Sequence, residues 1–250
     1  MPVVPGSLVR SGGRVVKIVS GYDLHRLQTG ALGAFGVIVE ASFKLAALPD
    51  STRSFAVPAN DITASAEFAL ELRDQALPLR ALSVLTPEAA AQVDLPEYAH
   101  ILFECTGTME TLERCATLVG NNATEPPPQV WERLRALAGE NENVILRLGV
   151  PPTELAGTIE TARALGTTCW GHLAAGSVLV TKSTLDAADV QALRTYAVAQ
   201  GGFLQIEAGP SNLRTEIDPF GQGEVALVRA LQQEFDPKQI INRGRWNGER

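Results

Sequence analysis

The apolar positions of residues 53–207 follow a regular succession of strand and helix periods. Runs rich in Val, Ile and Leu predict strands, whereas apolar residues spaced three and four apart predict amphipathic helices. In the first half the pattern predicts a strand, a helix, two strands and two helices, at 54–58, 60–70, 79–85, 101–105, 109–119 and near 131–134. Leu112, Cys115 and Val119 illustrate the helical spacing.

The second half of this region repeats the same order of elements. It predicts a strand, a helix, two strands, a helix and a closing strand, at 144–148, 151–166, 168–171, 178–181, 184–200 and 203–207. Two successive β-α-β-β-α units favour an α+β fold, in which helices cover one face of an antiparallel sheet in a ferredoxin-like arrangement. A last amphipathic helix is predicted at 223–235, with Val228, Leu231 and Phe235 on one face.

The segment before residue 50 has a different character. A short helix is predicted from Asp23, followed by the glycine-spaced loop GALGAFG at 30–36. The apolar run 37–39 behind the loop predicts a buried strand that ends near Leu45. Pro49 marks a boundary, so we expect three parts, at 1–50, 51–222 and 223–250.

Composition excludes several classes of function. The 250 residues carry 21 Lys and Arg against 28 Asp and Glu, a net charge of −7 that disfavours nucleic-acid binding. No apolar run is long enough for a membrane helix, and the N-terminus lacks a secretory pattern, so a cytoplasmic location is predicted. The basic excess of residues 1–50 is typical of a solvated surface, although an anionic ligand is the open alternative.

The three cysteines, Cys105, Cys115 and Cys169, stand far apart without a CxxC spacing. Such a set cannot supply the ligands of an iron–sulfur cluster or of a structural zinc ion. We therefore predict no metal site, and we expect each thiol to pack as a small apolar side chain.

Two separated phrases carry a resemblance to a known family. The sequence GYDLHRLQTGALGAFGVIVEASFKLAALP, at 21–49, is similar to the GYDL…GSxGTLGVI…LKLxPLP phrase of FAD-linked oxidases. The sequence FDPKQIINRGRW, at 235–246, is similar to the FDPxxxLNPGR phrase of the same vanillyl-alcohol-oxidase-like (PCMH-type) superfamily. Within that superfamily the chain most resembles the glycolate oxidase FAD-binding subunit of type E.

This resemblance implies the C-terminal part of a PCMH-type FAD-binding domain at 1–50, a cap domain for substrate at 51–222, and a C-terminal helix and arm that return to the flavin domain. The implied cofactor is FAD. Glycines 30, 33 and 36 would let the main chain lie against the flavin, and the C-terminal arm would close on the same domain. The residues implied to bind the cofactor are Tyr22, Asp23, Gly30, Gly33, Ala34, Gly36, Val37, Ile38, Asn242 and Arg245. A plain helix cap is the alternative role of Asp23.

The resemblance also singles out His172, in the phrase CWGHLAAGSVLV, as the candidate catalytic residue. Relatives carry a GHxGDGN-like phrase in which a histidine faces flavin and substrate, and a histidine can accept a hydroxyl proton near neutral pH. Here Ala174, Ala175 and Ser177 replace the polar partners. A packed histidine at a strand end is therefore the competing interpretation, and the commoner one.

The chain also departs from the family pattern. Ala31 and Ala34 replace hydroxyl residues of the loop, and Arg243 replaces the proline of the terminal phrase. No glycine loop that could cradle the FAD pyrophosphate stands before Gly12. We therefore expect a truncated flavin domain, and we expect the isolated chain to retain little FAD.

Three functions remain open at this point. The first is a glycolate-oxidase-type subunit that helps to oxidise a 2-hydroxy acid to a 2-oxo acid, in complex with a second flavoprotein and an iron–sulfur subunit. The second is a non-catalytic scaffold subunit of such a complex, since no aligned nucleophile, base and metal set is evident. The third, a module that senses a small molecule, rests on fold analogy alone.

Overall fold

The computed structural model describes residues 7–13, 23–139, 144–221 and 225–242. Its contacts divide the chain into two units. One unit comprises Met1–Ala47 together with Gln222–Arg250, and the other is Leu48–Gly221. The predicted roles of these parts as flavin-binding part and cap domain stay predictions.

In the unit Leu48–Gly221 the described residues form one seven-stranded sheet. Its strands are β1 (Ser51–Pro58), β2 (Leu79–Leu85), β3 (His100–Gly107), β4 (Val144–Gly149), β5 (Thr168–His172), β6 (Ser177–Lys182) and β7 (Phe203–Ala208). The order is β1-β3-β2-β5-β6-β4-β7, and all of the pairings are antiparallel. All seven strands predicted between residues 51 and 222 are therefore confirmed.

The two repeats of the sequence are visible in this strand order. The first repeat gives β1-β3-β2 and the second gives β4-β6-β5, and they join where β2 pairs with β5. The predicted succession of two β-α-β-β-α units in one antiparallel sheet is confirmed. The junction between β2 and β5 places the ends of two structurally equivalent strands side by side.

The helices of this unit begin where the sequence offers capping side chains. They are α2 (Ile62–Asp74), α3 (Pro87–Gln92), α4 (Met109–Val119), α5 (Val130–Ala136), α6 (Leu155–Arg163), α7 (Ala187–Ala199) and α8 (Ser211–Glu216). The side chains of Asp61, Thr86, Thr108 and Asp186 accept hydrogen bonds from main-chain N–H groups of the first turn. The cap of α7 is Asp186, so this helix begins three residues after the start predicted at 184.

The core lies mainly between one face of the sheet and the helices α2, α4, α6 and α7. Apolar side chains such as Phe103, Leu146 and Ile159 are fully buried there. A second, smaller core covers part of the other face, where α3 and α5 pack around Trp170. The α+β fold class is confirmed, but the helices do not all lie on one face. We refer to the face that carries Trp170 as the second face of the sheet.

The unit formed by the two ends of the chain contains two helices among its described residues. They are α1 (Leu24–Gln28) and α9 (Val225–Phe235). The predicted buried strand at 37–39 is wrong: residues 37–49 belong to no strand, and Val37 is 76% exposed and Leu45 87% exposed. A buried strand needs a neighbouring strand and a packed layer, and the described residues supply neither at this segment.

Candidate functional site

A small apolar cluster holds the glycine loop at 30–36, in the unit formed by the two ends of the chain. Ala31, Ala34 and Phe35 are buried, and Phe235 of α9 contacts Phe35 with ring centroids 6.1 Å apart. Val228 and Leu231, the other predicted apolar residues of α9, pack against the same cluster. The amphipathic face predicted for this helix is therefore used to hold the loop.

The C-terminal arm also contacts the loop through a specific hydrogen bond. The side-chain amide of Asn242 donates from Nδ2 to the carbonyl oxygen of Leu32 over 2.7 Å. Gly33, with φ of +72°, lies beside this amide, and a Cβ at position 33 would overlap Nδ2 of Asn242. The absence of a side chain at Gly33 thus makes room for the chain's own arm.

The other glycines of the loop have different surroundings. Gly30, with φ of +76°, has nothing within 4 Å of the position of a Cβ, whereas at Gly36 that position lies 3.4 Å from Nε2 of Gln28. Among the three glycines, Gly30 alone leaves the Cβ direction open. Approach of a flat ligand to the main chain of the loop therefore stays a prediction, and it is least obstructed at Gly30 and along the exposed residues Val37 and Ile38.

The remaining predicted cofactor residues divide between described and undescribed positions. Tyr22 and Arg245 lie outside the described residues. Asp23 precedes α1 but makes no side-chain cap hydrogen bond; it forms an exposed ion pair with Arg26 at 3.3 Å. Asp23 thus occupies the N-cap position of α1 without a side-chain cap hydrogen bond, and its role in cofactor binding stays a prediction. The side chain of Ala34 is buried in the apolar cluster, so its main chain alone could face a ligand.

On the second face of the sheet, five residues line up across five neighbouring strands. The pairs Ser83–His172, His172–Ser177, Ser177–Gly149 and Gly149–Phe203 are direct cross-strand partners of β2, β5, β6, β4 and β7. Antiparallel partners point their side chains to the same face and stand within about 5.5 Å at Cβ. We call these five residues, together with Arg147 and Glu207, the polar row.

His172 is fixed in this row by a buried hydroxyl group. Its Nδ1 lies 2.8 Å from Oγ of Ser83, and Ser83 is fully buried. When the imidazole is neutral and Nδ1–H donates to this hydroxyl, Nε2 carries the lone pair. In that tautomer Nε2 can accept a proton from another molecule, whereas in the other tautomer the Ser83 hydroxyl donates to Nδ1 and Nε2 carries the proton.

Arg147 provides the positive charge of the row. Its Nη1 donates to Oγ of Ser177 at 3.2 Å, and its Nε donates to the carboxylate of Glu207. Burial lowers the pKa of His172, and the positive charge of Arg147 lowers it further. Both effects favour a neutral imidazole, which is the form that can act as a base.

The end of the row at Phe203 is apolar. The ring of Phe203 lies over Gly149, where a Cβ would overlap it, and about half of the Phe203 side chain is exposed. After His172 the chain forms a short 3-10 turn, Leu173–Ala175, and reverses at Gly176 with φ of +57°. The alanines of this turn confirm that no polar partner of His172 comes from there, so its described partner, Ser83, comes from β2.

The family phrase pointed to His172 but not to the other polar members of the row. Ser83 precedes His172 by 89 positions, so only the strand pairing brings them together. Arg147 did leave a signal, because it interrupts the apolar strand VILRLG at a position that alternation assigns to a sheet face. A charge in such a strand indicates a polar site on that face.

The described residues offer little for other kinds of chemistry. Among them, no group of three or more His, Cys, Asp or Glu side chains could hold a metal ion. The three thiols are free and buried, as expected for packed cysteines. Within the described helices, none is long and apolar enough to cross a membrane.

Comparison with known proteins confirms the resemblance to FAD-linked oxidases. No protein-family model matches the chain. Curated relatives are nevertheless similar over almost its whole length: it is 24% identical to glycolate oxidase subunit GlcD of Bacillus subtilis (strain 168), over 96% of this chain. It is 27% identical to glycolate oxidase subunit GlcE of Escherichia coli (strain K12), over 98% of this chain.

A third relative widens the range of named activities. The chain is 24% identical to D-lactate dehydrogenase of Archaeoglobus fulgidus, over 96% of this chain. These alignments cover 60%, 63% and 61% of the relatives, so the chain spans about three fifths of the length of the curated relatives it matches. The activity, substrates and partners of the full-length relatives therefore do not pass to this chain as established properties.

A solved structure supports the fold. An alkyldihydroxyacetonephosphate synthase superposes with a TM-score of 0.50 at 15% identity, over 92% of this chain and 52% of that chain. At this identity the likeness shows the fold alone. The arrangement of helices and antiparallel sheet is thus similar to that of this synthase.

Proposed function

We propose that the chain is part of an FAD-linked oxidoreductase of glycolate-oxidase type, which oxidises a 2-hydroxy acid to the 2-oxo acid. Its similarity to glycolate oxidase subunits and to a D-lactate dehydrogenase supports this class of reaction. The structural observation that carries the proposal is the hydrogen bond between His172 and the buried Ser83. A half-buried, neutral imidazole with one nitrogen engaged is suited to act as a general base.

In the proposed mechanism His172 takes the proton of the substrate hydroxyl at Nε2. Ser83 holds the ring through Nδ1, and burial together with the charge of Arg147 lowers the pKa of His172 and so favours the neutral imidazole. Bound FAD would supply the acceptor for the hydride that leaves C2 of the substrate. Within the unit formed by the two chain ends, we propose separately that the main chain at Gly30 and along 37–38 would lie against the flavin, because these positions are the least obstructed part of the loop.

We further propose that tight FAD binding needs a polypeptide segment beyond those described, and that a second flavoprotein and an iron–sulfur subunit accept the electrons. The relatives named as glycolate oxidase subunits support the expectation of partner subunits. The coverage of three fifths of the relatives supports the need for a further segment. So do the exposed apolar residues between Val37 and Leu48, which suit a strand with a neighbour. The proposed location is the cytoplasm.

Two measurements test the proposal. The purified chain is expected to lose flavin absorbance on gel filtration, and to retain it when co-expressed with the candidate partner subunits. In that complex, His172→Gln is expected to slow flavin reduction by glycolate or D-lactate about 10²–10⁴-fold, as for loss of a general base. An unchanged rate of reduction in the variant would refute the assignment of His172. Flavin that stays with the isolated chain would refute the proposal that tight FAD binding needs a further polypeptide segment.

The non-catalytic scaffold subunit is the second candidate. The alanines at 174 and 175, where the family phrase has polar residues, favour it. A scaffold would co-purify with the partner subunits and support their activity, yet substitutions at His172 and Ser83 would leave that activity unchanged. The same His172→Gln complex therefore separates the two functions, provided that assembly is verified by gel filtration.

A further inference from the structure

The guanidinium group of Arg147 has donor capacity that the described residues do not use. A guanidinium carries five N–H donors, and the described hydrogen bonds use one at Nε, toward Glu207, and one at Nη1, toward Ser177. Three N–H groups remain, and about a third of the Arg147 side chain is exposed. A planar fork of free N–H groups matches the two oxygens of a carboxylate.

The groups around Arg147 suit the rest of a small hydroxy acid. Ser177 accepts from Arg147, which leaves the O–H of this buried serine free to donate. His172 is the direct cross-strand partner of Ser177, so the acceptor Nε2 stands on the same face as the guanidinium. One face of the sheet thus presents donors for an anion beside an acceptor for a hydroxyl group.

We propose that Arg147 and Ser177 bind the carboxylate of a 2-hydroxy acid, and that they direct its C2 hydroxyl group to His172. This inference rests on the proposed function, which it extends from the reaction to the recognition of the substrate. The ligand class is a small 2-hydroxy monocarboxylate. The groups that would contact the ligand lie on β4, β5 and β6 of one sheet, so we expect carboxylate binding without bound flavin.

Glu207 has a defined part in this site. Its carboxylate occupies the Nε side of Arg147 and offsets part of the positive charge. An incoming anion is repelled by this like charge while it is attracted by the guanidinium. Glu207 therefore orients the arginine and also limits the affinity for the ligand, so its neutral amide analogue is expected to bind carboxylates more tightly.

The test is an NMR titration of the full chain without flavin. The imidazole signals of histidine-labelled protein are recorded while glycolate is added at constant ionic strength, and the His172 signal is assigned with His172→Gln. We expect a saturable shift of the His172 signal with glycolate and none with glycolamide, which has the hydroxyl group but no charge. The bound carboxylate is also expected to raise the pKa of His172, because it offsets the effect of Arg147.

Three variants make the test specific. Arg147→Met is expected to weaken glycolate binding at least about tenfold, which corresponds to about 1.4 kcal/mol. Glu207→Gln is expected to strengthen it severalfold. Arg80→Met removes another arginine of the same sheet, paired with Glu104 at 3.1 Å, and is expected to leave the titration unchanged. Circular dichroism on each variant checks that the sheet is retained.

The outcomes distinguish this inference from the proposed function. Absence of a saturable shift in the parent chain, an Arg147→Met titration equal to that of the parent, or weaker binding by Glu207→Gln would each overturn the carboxylate site. Loss of oxidation with glycolate binding intact would overturn the proposed reaction but leave the site. Oxidation that depends on His172, in a chain that does not bind glycolate at Arg147, would overturn the carboxylate site but leave the proposed reaction.

Discussion

The side-chain amide of Asn242 donates to the carbonyl oxygen of Leu32 at 2.7 Å, across 210 positions of sequence. Both residues have positive φ angles, 44° at Asn242 and 51° at Leu32. Two unfavourable backbone conformations thus meet at one hydrogen bond, which joins the C-terminal arm to the glycine loop. We therefore expect substitution of Asn242 to have a measurable effect on the glycine loop.

Asn242→Ala is expected to loosen the glycine loop. The substitution removes one side-chain hydrogen bond, which contributes about 1 kcal/mol to the stability of the contact. Hydrogen–deuterium exchange of the amides at 30–36 is expected to accelerate, whereas exchange in the strand β3 is unchanged. Ile240→Ala, in the same arm and exposed, is the matched control. Equal exchange in the Asn242 variant and the parent chain would show that the contact does not form in solution.

Gly33→Ala and Gly30→Ala separate backbone strain from steric overlap. Both glycines have φ near +75°, so an alanine at either position costs about 1–2 kcal/mol for the left-handed conformation. At Gly33 the new methyl group also overlaps the amide of Asn242, whereas at Gly30 it meets open space. We expect Gly33→Ala to destabilise the loop more, as measured by the same hydrogen exchange.

The double variant Gly33→Ala/Asn242→Ala completes this comparison. Removal of the Asn242 amide relieves the overlap, so the double variant is expected to be less destabilised than the sum of the two single variants. Strict additivity of the two effects would show that position 33 does not contact the arm.

The buried histidines predict loss of stability in mild acid. His100 is almost fully buried, and its Nδ1–H donates to the carbonyl of Tyr98 over 2.8 Å. Burial lowers the pKa of His100 below its ordinary value of 6.5, and burial with the charge of Arg147 does the same for His172. The unfolded chain therefore binds protons first as the pH falls, and folding stability declines below about pH 6.5.

Urea unfolding between pH 8 and pH 5 measures this effect. Stability is expected to be level above pH 6.5 and to fall toward the lower folded-state pKa values. His100→Gln removes one of the two titrating groups, so its stability is expected to depend less steeply on pH, whatever its stability at pH 8. A slope equal to that of the parent chain would argue against the burial of neutral His100.

The three cysteines are expected to be unreactive in the folded chain. Burial raises the pKa of the Cys169 thiol to about 12, and burial together with the neighbouring Cys115 raises the pKa of Cys105. The thiolate is the reactive form, so a disulfide reagent is expected to label the thiols only at the rate of unfolding. Fast labelling without urea, against full labelling in urea as the reference, would contradict their burial.

Much of the sheet could be predicted from the sequence, because its strands and long helices follow local periods. The short helices α3 and α8 were missed, since six residues hold too few turns to show an apolar stripe. The segment at 37–39 was predicted to be buried because an apolar run indicates a need for burial. Whether such a run is actually buried depends on other polypeptide segments that pack against it, and the local sequence carries no information about those segments.

The candidate site was only partly predictable for a similar reason. A family phrase pointed to His172, but the hydroxyl group that orients it comes from Ser83 on another repeat. Pairing of β2 with β5, and not any motif, brings the two together. Arg147 was visible as a charge in an apolar strand, yet its relation to Ser177 required the register of β4 against β6.

The pairing of β2 with β5 also has a mechanical consequence. These strands meet through three residue pairs, whereas β1 and β3 share eight: the three are Ser83–His172, Val84–Gly171 and Leu85–Trp170. Under a force that pulls the two repeats apart, the shorter ladder is expected to break first. Its rupture would separate His172 from the hydroxyl group of Ser83. The ability of the imidazole to accept a proton would then change whenever tension separates β2 from β5. His172 would thus respond to mechanical strain between the two halves of the sheet.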